Sequence, residues 1–454
     1  MDGETICALA TPEGGAIGVV RVSGNRAIEI TERVFHGASN KKLAEAKGNT
    51  LHYGTLHDKQ GNLIDDVLIG VFRAPHSYTG EDSTEISCHG SGYILHQVVK
   101  ALINAGCRQA QPGEYTKRAY LNGKMDLSQA EAVADLVAAS NKASHKLALS
   151  QLKGHFSSEL SVLREQLLRI TSLLELELDF SDHEELEFAD RDELKALAAQ
   201  IHQQITMLAR SFETGNALKK GVPVAIVGKT NVGKSTLLNC LLHEDKAIVS
   251  DIHGTTRDVI EDTTEINGIT FRFIDTAGIR RTDDKVEQLG IERAYQKMEE
   301  AFIVLWVVDR QPLAEEYARM QRLTAGKKLI TVFNKMDCMT VKSNTAASCS
   351  PAVFISAKLK QNIPDLETAI YRAADIPDIN ENSVIVTNAR HYEALTHADE
   401  SIQRVIEGMN LGLSGDLISE DLRICLDQLA EITGGQITTN EVLGNIFKHF
   451  CIGK

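Results

Sequence analysis

No two cysteines in this 454-residue chain stand in a C-x-x-C spacing. The eight that are present, at positions 7, 88, 107, 240, 338, 349, 425 and 451, are too scattered for a disulfide framework or a zinc site and suit a reducing compartment. A secretion signal is not expected either, because "MDGETICALATPEGG" has neither a basic flank nor an apolar stretch. Long hydrophobic runs are missing too. The longest strongly apolar one is "AFIVLWVV" (301–308), whereas a spanning helix needs roughly 20 residues. A soluble, cytoplasmic protein with no membrane role is the expectation. Positive charge is also scarce. The formal net charge of −14 argues against a general nucleic-acid binder, which normally carries a basic face. Any RNA contact must then be local or shared with a partner. The local basic stretches are "KKLAEAK" (41–47) and "EYTKRAYLNGK" (114–124), and each also reads as an ordinary solvated surface. No internal repeat or low-complexity tract occurs.

A chain of this length is expected to divide into two or three domains. Residues 1–120 mix β-like runs ("AIGVVRV", "DVLIGVF", "STEISC") with the helical "GYILHQVVKALINAG", the texture of an α+β domain. Residues 121–215 carry apolar residues at i, i+3, i+4 and i+7, which predicts long amphipathic helices. Within them, Glu175–Glu193 is acidic, with Arg191 its only basic residue, and reads as a solvated loop and helix start or as a partner-binding segment. Over 216–380 apolar strands alternate with helical stretches, as in a mostly parallel sheet with crossover helices. Residues 381–454 turn helical again, so an α/β domain inserted into a discontinuous helical domain is inferred.

The inserted segment carries the chemistry. "GKTNVGKST" (228–236) follows the strand "VPVAIV" and precedes "LLNCLL", a G-x-x-x-x-G-K-S phosphate loop in its strand–loop–helix context. Glycines at 228 and 233 let backbone N–H groups turn onto phosphates, and the next helix N-terminus favours the same charge. Lys234 is suited to the β- and γ-phosphates and Ser235 to Mg²⁺, with Asn231, Val232, Gly233 and Thr236 completing the loop. "DTAG" offers Asp275 for the Mg²⁺ shell and Gly278 for the γ-phosphate, with Thr276 and Ala277 between them. In "NKMD", Asn334 and Lys335 lead to Asp337, whose carboxylate can accept from two guanine N–H groups that adenine does not present together. "SAK" (Ser356, Ala357, Lys358) adds a backbone donor to the guanine carbonyl. Between these, "SDIHGTTRD" (250–258) provides Thr256 or Thr255 for Mg²⁺. The set points to a GTP hydrolase. A Ras-like enzyme places a water-orienting Gln directly after D-x-x-G, but this chain has Ile279 there. Another group, or a monovalent cation, must take over.

With "NVGKS", "GTTRD", "DTAGIR" and the terminal "FCIGK" in one chain, together with "ATPEGGAIGVVRVSG" and "YTGEDSTEISCHG", the sequence resembles the MnmE (TrmE) family of tRNA modification GTPases over essentially its whole length. Where that family has Arg-Pro-Gly-Glu, Gln111 here precedes Pro112. The resemblance implies a homodimer with an N-terminal domain (1–120) that dimerises and binds 5-formyltetrahydrofolate or a related one-carbon tetrahydrofolate. It also implies a two-part helical domain (121–215 and 381–454) and an inserted Ras-like G domain (216–380). With the flavoprotein MnmG (GidA), the family modifies the wobble uridine of certain tRNAs by adding a carboxymethylaminomethyl or aminomethyl group. Carried over by position, Asn231, the carbonyls of Ser250 and Ile252, and Thr255 are the implied K⁺ ligands, and Glu287 the implied water-orienting acid. Arg21, Glu85, Lys124 and Lys454 are the implied folate residues. Cys451, which by itself reads as a poor prenylation box, an unpartnered metal ligand or an idle thiol, falls beside the folate pocket with a catalytic role. Without the resemblance, Glu287 reads as a helix-surface residue and the folate positions as surface ion pairs. An Era- or Der-like ribosome-assembly GTPase, or a nucleotide-switched scaffold, is the alternative.

Overall fold

Apolar residues at every second position of "IGVVRVS" bury Val20 and Val22 on one side of a strand, as a half-buried antiparallel sheet requires. This strand, β2 (Ile17–Ser23), lies between β1 (Ile6–Leu9) and β6 (Ser83–His89) and pairs antiparallel with both. With β3 (Phe35–Gly37), β4 (Thr50–His57), β5 (Leu63–Phe72) and β7 (Arg108–Gln109) it forms a seven-stranded sheet in the order β3-β4-β5-β6-β2-β1-β7. Helices α1 (Ala27–Val34) and α2 (Gly92–Ala105) cover one face, packing Ile30, Leu95, Val98 and Leu102 on Val20, Ile69 and Ile86. On β4 and β5, Leu51 and the directly opposed pair Tyr53 and Leu68 stay exposed.

The computed structural model describes residues 3–38, 42–179, 191–242, 262–274, 298–338, 351–377, 380, 382–435, 443, 446–448, 450 and 453, without the side chains of 176–179. The described chain forms two compact units, one of residues 1–138, 148–206 and 393–454, the other of 139–147 and 207–392.

In the first unit the sheet is followed by α3 (Glu114–Leu121) and α4 (Leu127–Ala138). Asp126 and Gln129 cap α4 reciprocally: the Asp126 carboxylate accepts from the Gln129 N–H at 2.9 Å, and the Gln129 side chain accepts from the Asp126 N–H at 3.0 Å. Such a cap stabilises a helix start by about 1 kcal/mol. The helical texture of 121–215 predicts long helices, and among the described residues after α4 the structure interrupts it at two places. Asn141 opens α5 (Lys142–Leu152) by accepting from the Ser144 N–H at 2.8 Å, and Gly154, with φ of 83°, separates α5 from α6 (His155–Asp179). Beyond α7 (Arg191–Lys220) and the inserted sheet, α11 (Ala389–Asn410) and α12 (Gly415–Thr433) resume the helical part. Helix α12 packs along α6 and α4, and Arg423 pairs with Glu175 at 2.9 Å. Helices of the two separated stretches thus pack on one another within this unit. Leu443 and Phe447 seat the C-terminal residues on Leu127 and Ala130. Gly113, at φ 64°, makes room for them; an added Cβ would lie 2.9 Å from the Phe447 carbonyl.

The second unit holds a six-stranded sheet in the order β13-β12-β11-β8-β10-β9. Its strands are β8 (Val222–Val227), β9 (Asp262–Ile266), β10 (Ile269–Phe273), β11 (Ile303–Val308), β12 (Lys328–Phe333) and β13 (Ala352–Phe354). All neighbours run parallel except β9 and β10. All six residues of β11 are buried, as a strand covered on both faces requires. Helices α8 (Lys234–Leu241) and α10 (Ile363–Ala373) pack Leu237, Leu238, Leu366 and Ile370 on one face, while Met298, Trp306 and Phe333 lie in the core of the other, beside which α9 (Ala314–Leu323) contributes Tyr317 and Met320. The chain leaves β8 toward β10 and returns through β11 on its opposite side. Open α/β sheets bind their ligands at such a reversal, outside the strands' carboxyl ends.

Among the described residues no helix is long and apolar enough to cross a membrane, and no cluster of His, Cys, Asp and Glu could hold a metal ion.

Candidate active site

The phosphate loop follows β8 at that reversal. It leaves β8 at Gly228 and enters α8 at Lys234. Asn231 adopts φ of 61°, a left-handed turn that asparagine tolerates better than most residues. Gly233 is needed on two counts: its φ is 96°, and a Cβ there would collide with the Asn334 amide. Gly228 is equally constrained, since a Cβ would run into the Val307 carbonyl on β11. Val232 is buried and anchors the loop to the core. The Lys234 ammonium folds over the loop and donates to the carbonyls of Gly228 at 2.8 Å and Lys229 at 2.7 Å. Ser235 and Thr236 stand in the first turn of α8. At the rim, Lys229 and Arg310 converge on Glu316, at 2.6 and 3.0 Å. The Lys229 hydrogen bond is the largest cause holding the Glu316 carboxyl down to about 2.

Asn334, just past β12, joins the two halves of the site. Its buried amide donates to the Val232 carbonyl at 2.8 Å, and its carbonyl oxygen accepts from the Ala357 N–H at 3.0 Å. The phosphate loop is thereby tied to the "SAK" segment after β13, and a buried polar group satisfied on both sides fixes a single arrangement. Because Asn334 takes the Ala357 N–H, the next backbone donor along the segment is that of Lys358. Asp337 accepts from the buried Ser356 hydroxyl at 2.6 Å. That bond is the main cause keeping its carboxyl below the usual aspartate value, so it presents an acceptor-only carboxylate at neutral pH. Lys335, in a left-handed conformation, pairs with Asp309 at 3.2 Å. Strand β10 ends two residues before Asp275. Asp275, Thr276, Ala277, Gly278 and Glu287 lie outside the described residues, as do Ser250, Ile252, Thr255 and Thr256.

A second polar cluster lies in the first unit. Strand register sets Arg21 on β2 directly opposite Glu85 on β6. Two guanidinium N–H groups converge on one Glu85 oxygen at 2.8 and 2.9 Å. The guanidinium lies 5.6 Å from the ring centroids of both Tyr78 and Tyr115, close enough for cation–π attraction. The Tyr115 hydroxyl donates to the Arg21 carbonyl at 2.8 Å, and burial pushes that phenol well above its ordinary value. Arg21 also donates to the Gly453 carbonyl at 3.3 Å. Gly453, at φ 95°, is buried where a Cβ would strike the Leu9 carbonyl, which accounts for glycine in the terminal motif. Lys124 bonds elsewhere, donating to the Pro75 carbonyl at 2.9 Å. Its stem covers Gly80 in the loop that carries Tyr78. Cys451 and Lys454 lie outside the described residues. Sequence reasoning missed Tyr78, Tyr115 and Gly453 as neighbours of Arg21. All three stand in quoted motifs, but no spacing rule connects residues so far apart.

A model of the MnmE helical domain matches residues 127–451, and one of the GTP-binding protein TrmE N-terminus matches 5–124. The chain belongs to the MnmE family of tRNA modification GTPases. Relatives named tRNA modification GTPase MnmE agree along their whole length. The protein from Phocaeicola vulgatus is 56% identical over 99% of both chains, and that from Bacteroides fragilis 56% identical over 100% of both. The solved G domain of the FeoB iron transporter from T. maritima covers 34% of this chain and 98% of its own length, at 21% identity and a TM-score of 0.26. Membership in the MnmE family displaces the ribosome-assembly alternative.

Proposed function

We propose that this protein hydrolyses GTP in a K⁺-dependent manner. Together with a flavoprotein partner, it then installs a carboxymethylaminomethyl or aminomethyl group on the wobble uridine of tRNA in the cytoplasm. The observation that carries the reading is the Asn334 bridge, which holds a phosphate-binding loop and a guanine-type carboxylate, Asp337, in one rigid site. Lys234 would bind the β- and γ-phosphates, and Ser235, Thr256 and Asp275 would hold Mg²⁺. Asn231, Thr255 and the carbonyls of Ser250 and Ile252 would hold K⁺. The bound cation supplies positive charge beside the phosphate oxygens, and Glu287 would orient the attacking water. The domain division 1–120, 121–215 with 381–454, and 216–380 belongs to the same reading. So does a homodimer, for which the exposed Leu51, Tyr53 and Leu68 offer an apolar sheet face.

The test is mass spectrometry of tRNA nucleosides from a strain lacking the gene. The 5-substituted wobble uridines are expected to disappear and unmodified uridine to take their place; an unchanged nucleoside profile refutes the reading.

The Arg21 cluster is the proposed one-carbon folate site. Its fit rests on two aromatic rings and on Glu85, whose second oxygen takes no hydrogen bond from the described residues. A ligand's amidine edge would share the first oxygen with Arg21. Lys124 and Lys454 would serve the glutamate tail, and Cys451 the one-carbon chemistry. Arg21→Ala removes both the pairing and the stacked cation, so binding of 5-formyltetrahydrofolate is expected to weaken at least about tenfold, as for one lost charged hydrogen bond. Calorimetry checks this, and equal affinity in the variant removes Arg21 from the site.

A further inference from the structure

Tyr115 and Lys124 of the basic stretch 114–124 belong to the proposed folate site, but the cations of α3 itself, Lys117 and Arg118, do not. These two cations have different fates. Arg118 is consumed by Glu81 and Glu114, both at 3.0 Å. Lys117 Nζ has no hydrogen bond or ion pair among the described residues. It lines a cleft of about 370 Å³ together with Gln111, Pro112, Glu114, Arg118, Phe447 and Lys448. Lys448, brought by the chain's C-terminal part, is exposed and likewise has no ion pair among the described residues.

The acid nearest Lys117 does not neutralise it. Glu114 accepts from Arg108 at 2.6 and 3.1 Å, from Arg118 at 3.0 Å and from the Gln111 N–H at 2.8 Å. Behind it, Glu4 is held by Arg108 at 2.7 Å, and Glu81 by Arg118 and the Ser23 hydroxyl. Burial lowers the Lys117 pKa from its ordinary value, and the attraction of Glu114 offsets this only in part. An ammonium partly stripped of water, beside a carboxylate already occupied by two guanidiniums, gains most from an incoming anion.

We propose that the cleft between α3 and the C-terminal residues, flanked by Lys117 and Lys448, is a binding site for a backbone phosphate of the tRNA substrate. Two lysines from segments more than 300 residues apart in sequence line one cleft because the C-terminal residues are seated on α4. In an acidic protein, a small site of this kind supplies the local positive charge that RNA binding needs. The proposal rests on the tRNA-modifying role.

The experiment measures tRNA binding by the full-length protein across a salt series, for wild type, Lys117→Gln, Lys448→Gln, the double variant and Lys117→Arg. A remote exposed control, Lys59→Gln, accompanies them. The double variant is expected to lose about tenfold in affinity near physiological salt and to flatten the log K against log salt slope by about 1, as for the loss of one phosphate contact. Lys117→Arg should retain most of the binding, and GTP turnover without tRNA should not change. A double variant with wild-type affinity and slope overturns the proposal, as does an equal loss in Lys59→Gln. Competition with inorganic phosphate separates the sources. If the variants alter phosphate binding but leave tRNA binding intact, the cleft takes free phosphate and the RNA assignment falls. Wild-type protein that fails to bind tRNA at all overturns the tRNA role along with the cleft, whereas wild-type binding matched by the double variant overturns the cleft alone.

Discussion

Asp337→Asn is expected to exchange GTP for xanthosine triphosphate as the preferred nucleotide. The carboxylate of Asp337 can accept from the ring N–H and the exocyclic amino group of guanine together, and the Ser356 hydroxyl at 2.6 Å keeps it ionised and oriented. An asparagine amide would set its own N–H₂ against one of those donors. Xanthine has a carbonyl where guanine has its amino group, so the amide and the base match again. A site that loses such a matched pair discriminates by roughly 10⁴–10⁵, and the preference should invert by a comparable factor. Nucleotide affinities and kcat/KM for both triphosphates check this. Retained GTP selectivity would detach Asp337 from the base.

The second large effect concerns the cation. Replacing K⁺ by Na⁺ is expected to slow GTP turnover by about 10²-fold or more, and Asn231→Ala should abolish the difference between the two salts. The reasoning starts from Ile279, an aliphatic residue where Ras-like enzymes place a water-orienting glutamine. An arginine finger that neutralises the same developing charge is worth roughly 10³–10⁵ in rate, and a bound monovalent cation supplies charge at a similar place. Asn231 sits in the left-handed turn of the phosphate loop, where its backbone conformation alone would justify asparagine. The salt comparison separates the two roles. Equal rates in K⁺ and Na⁺, with Asn231 intact, leave only the turn.

Some features were legible in advance because their causes are contiguous in the chain. The phosphate-binding motif is nine contiguous residues that run from the end of a strand into the first turn of a helix, and each glycine and the lysine follow from what a phosphate requires. "NKMD" and "SAK" end apolar strands, so the side on which they emerge is set by strand direction. Period-two and period-3.6 patterns likewise mark β2, β5, β6 and α2 where the structure has them.

Other features depend on distances that no local pattern encodes. The interruptions at Asn141 and Gly154 are single-residue caps inside an unbroken helical texture. The pairing of Arg21 with Glu85, 64 residues apart, is a matter of strand register. Asn334 reads as a guanine-side residue in sequence, yet its amide spends both of its ends bridging the phosphate loop to Ala357. Seating of Phe447 on α4 brings Lys448 to Lys117 and Gly453 to Arg21. The sequence by itself determined which nucleotide chemistry this protein carries, because that chemistry is written in short runs of backbone and side chain. Tertiary structure alone decided which distant charges are spent on each other and which are left to meet a ligand, because charge pairing is settled by packing and desolvation in three dimensions.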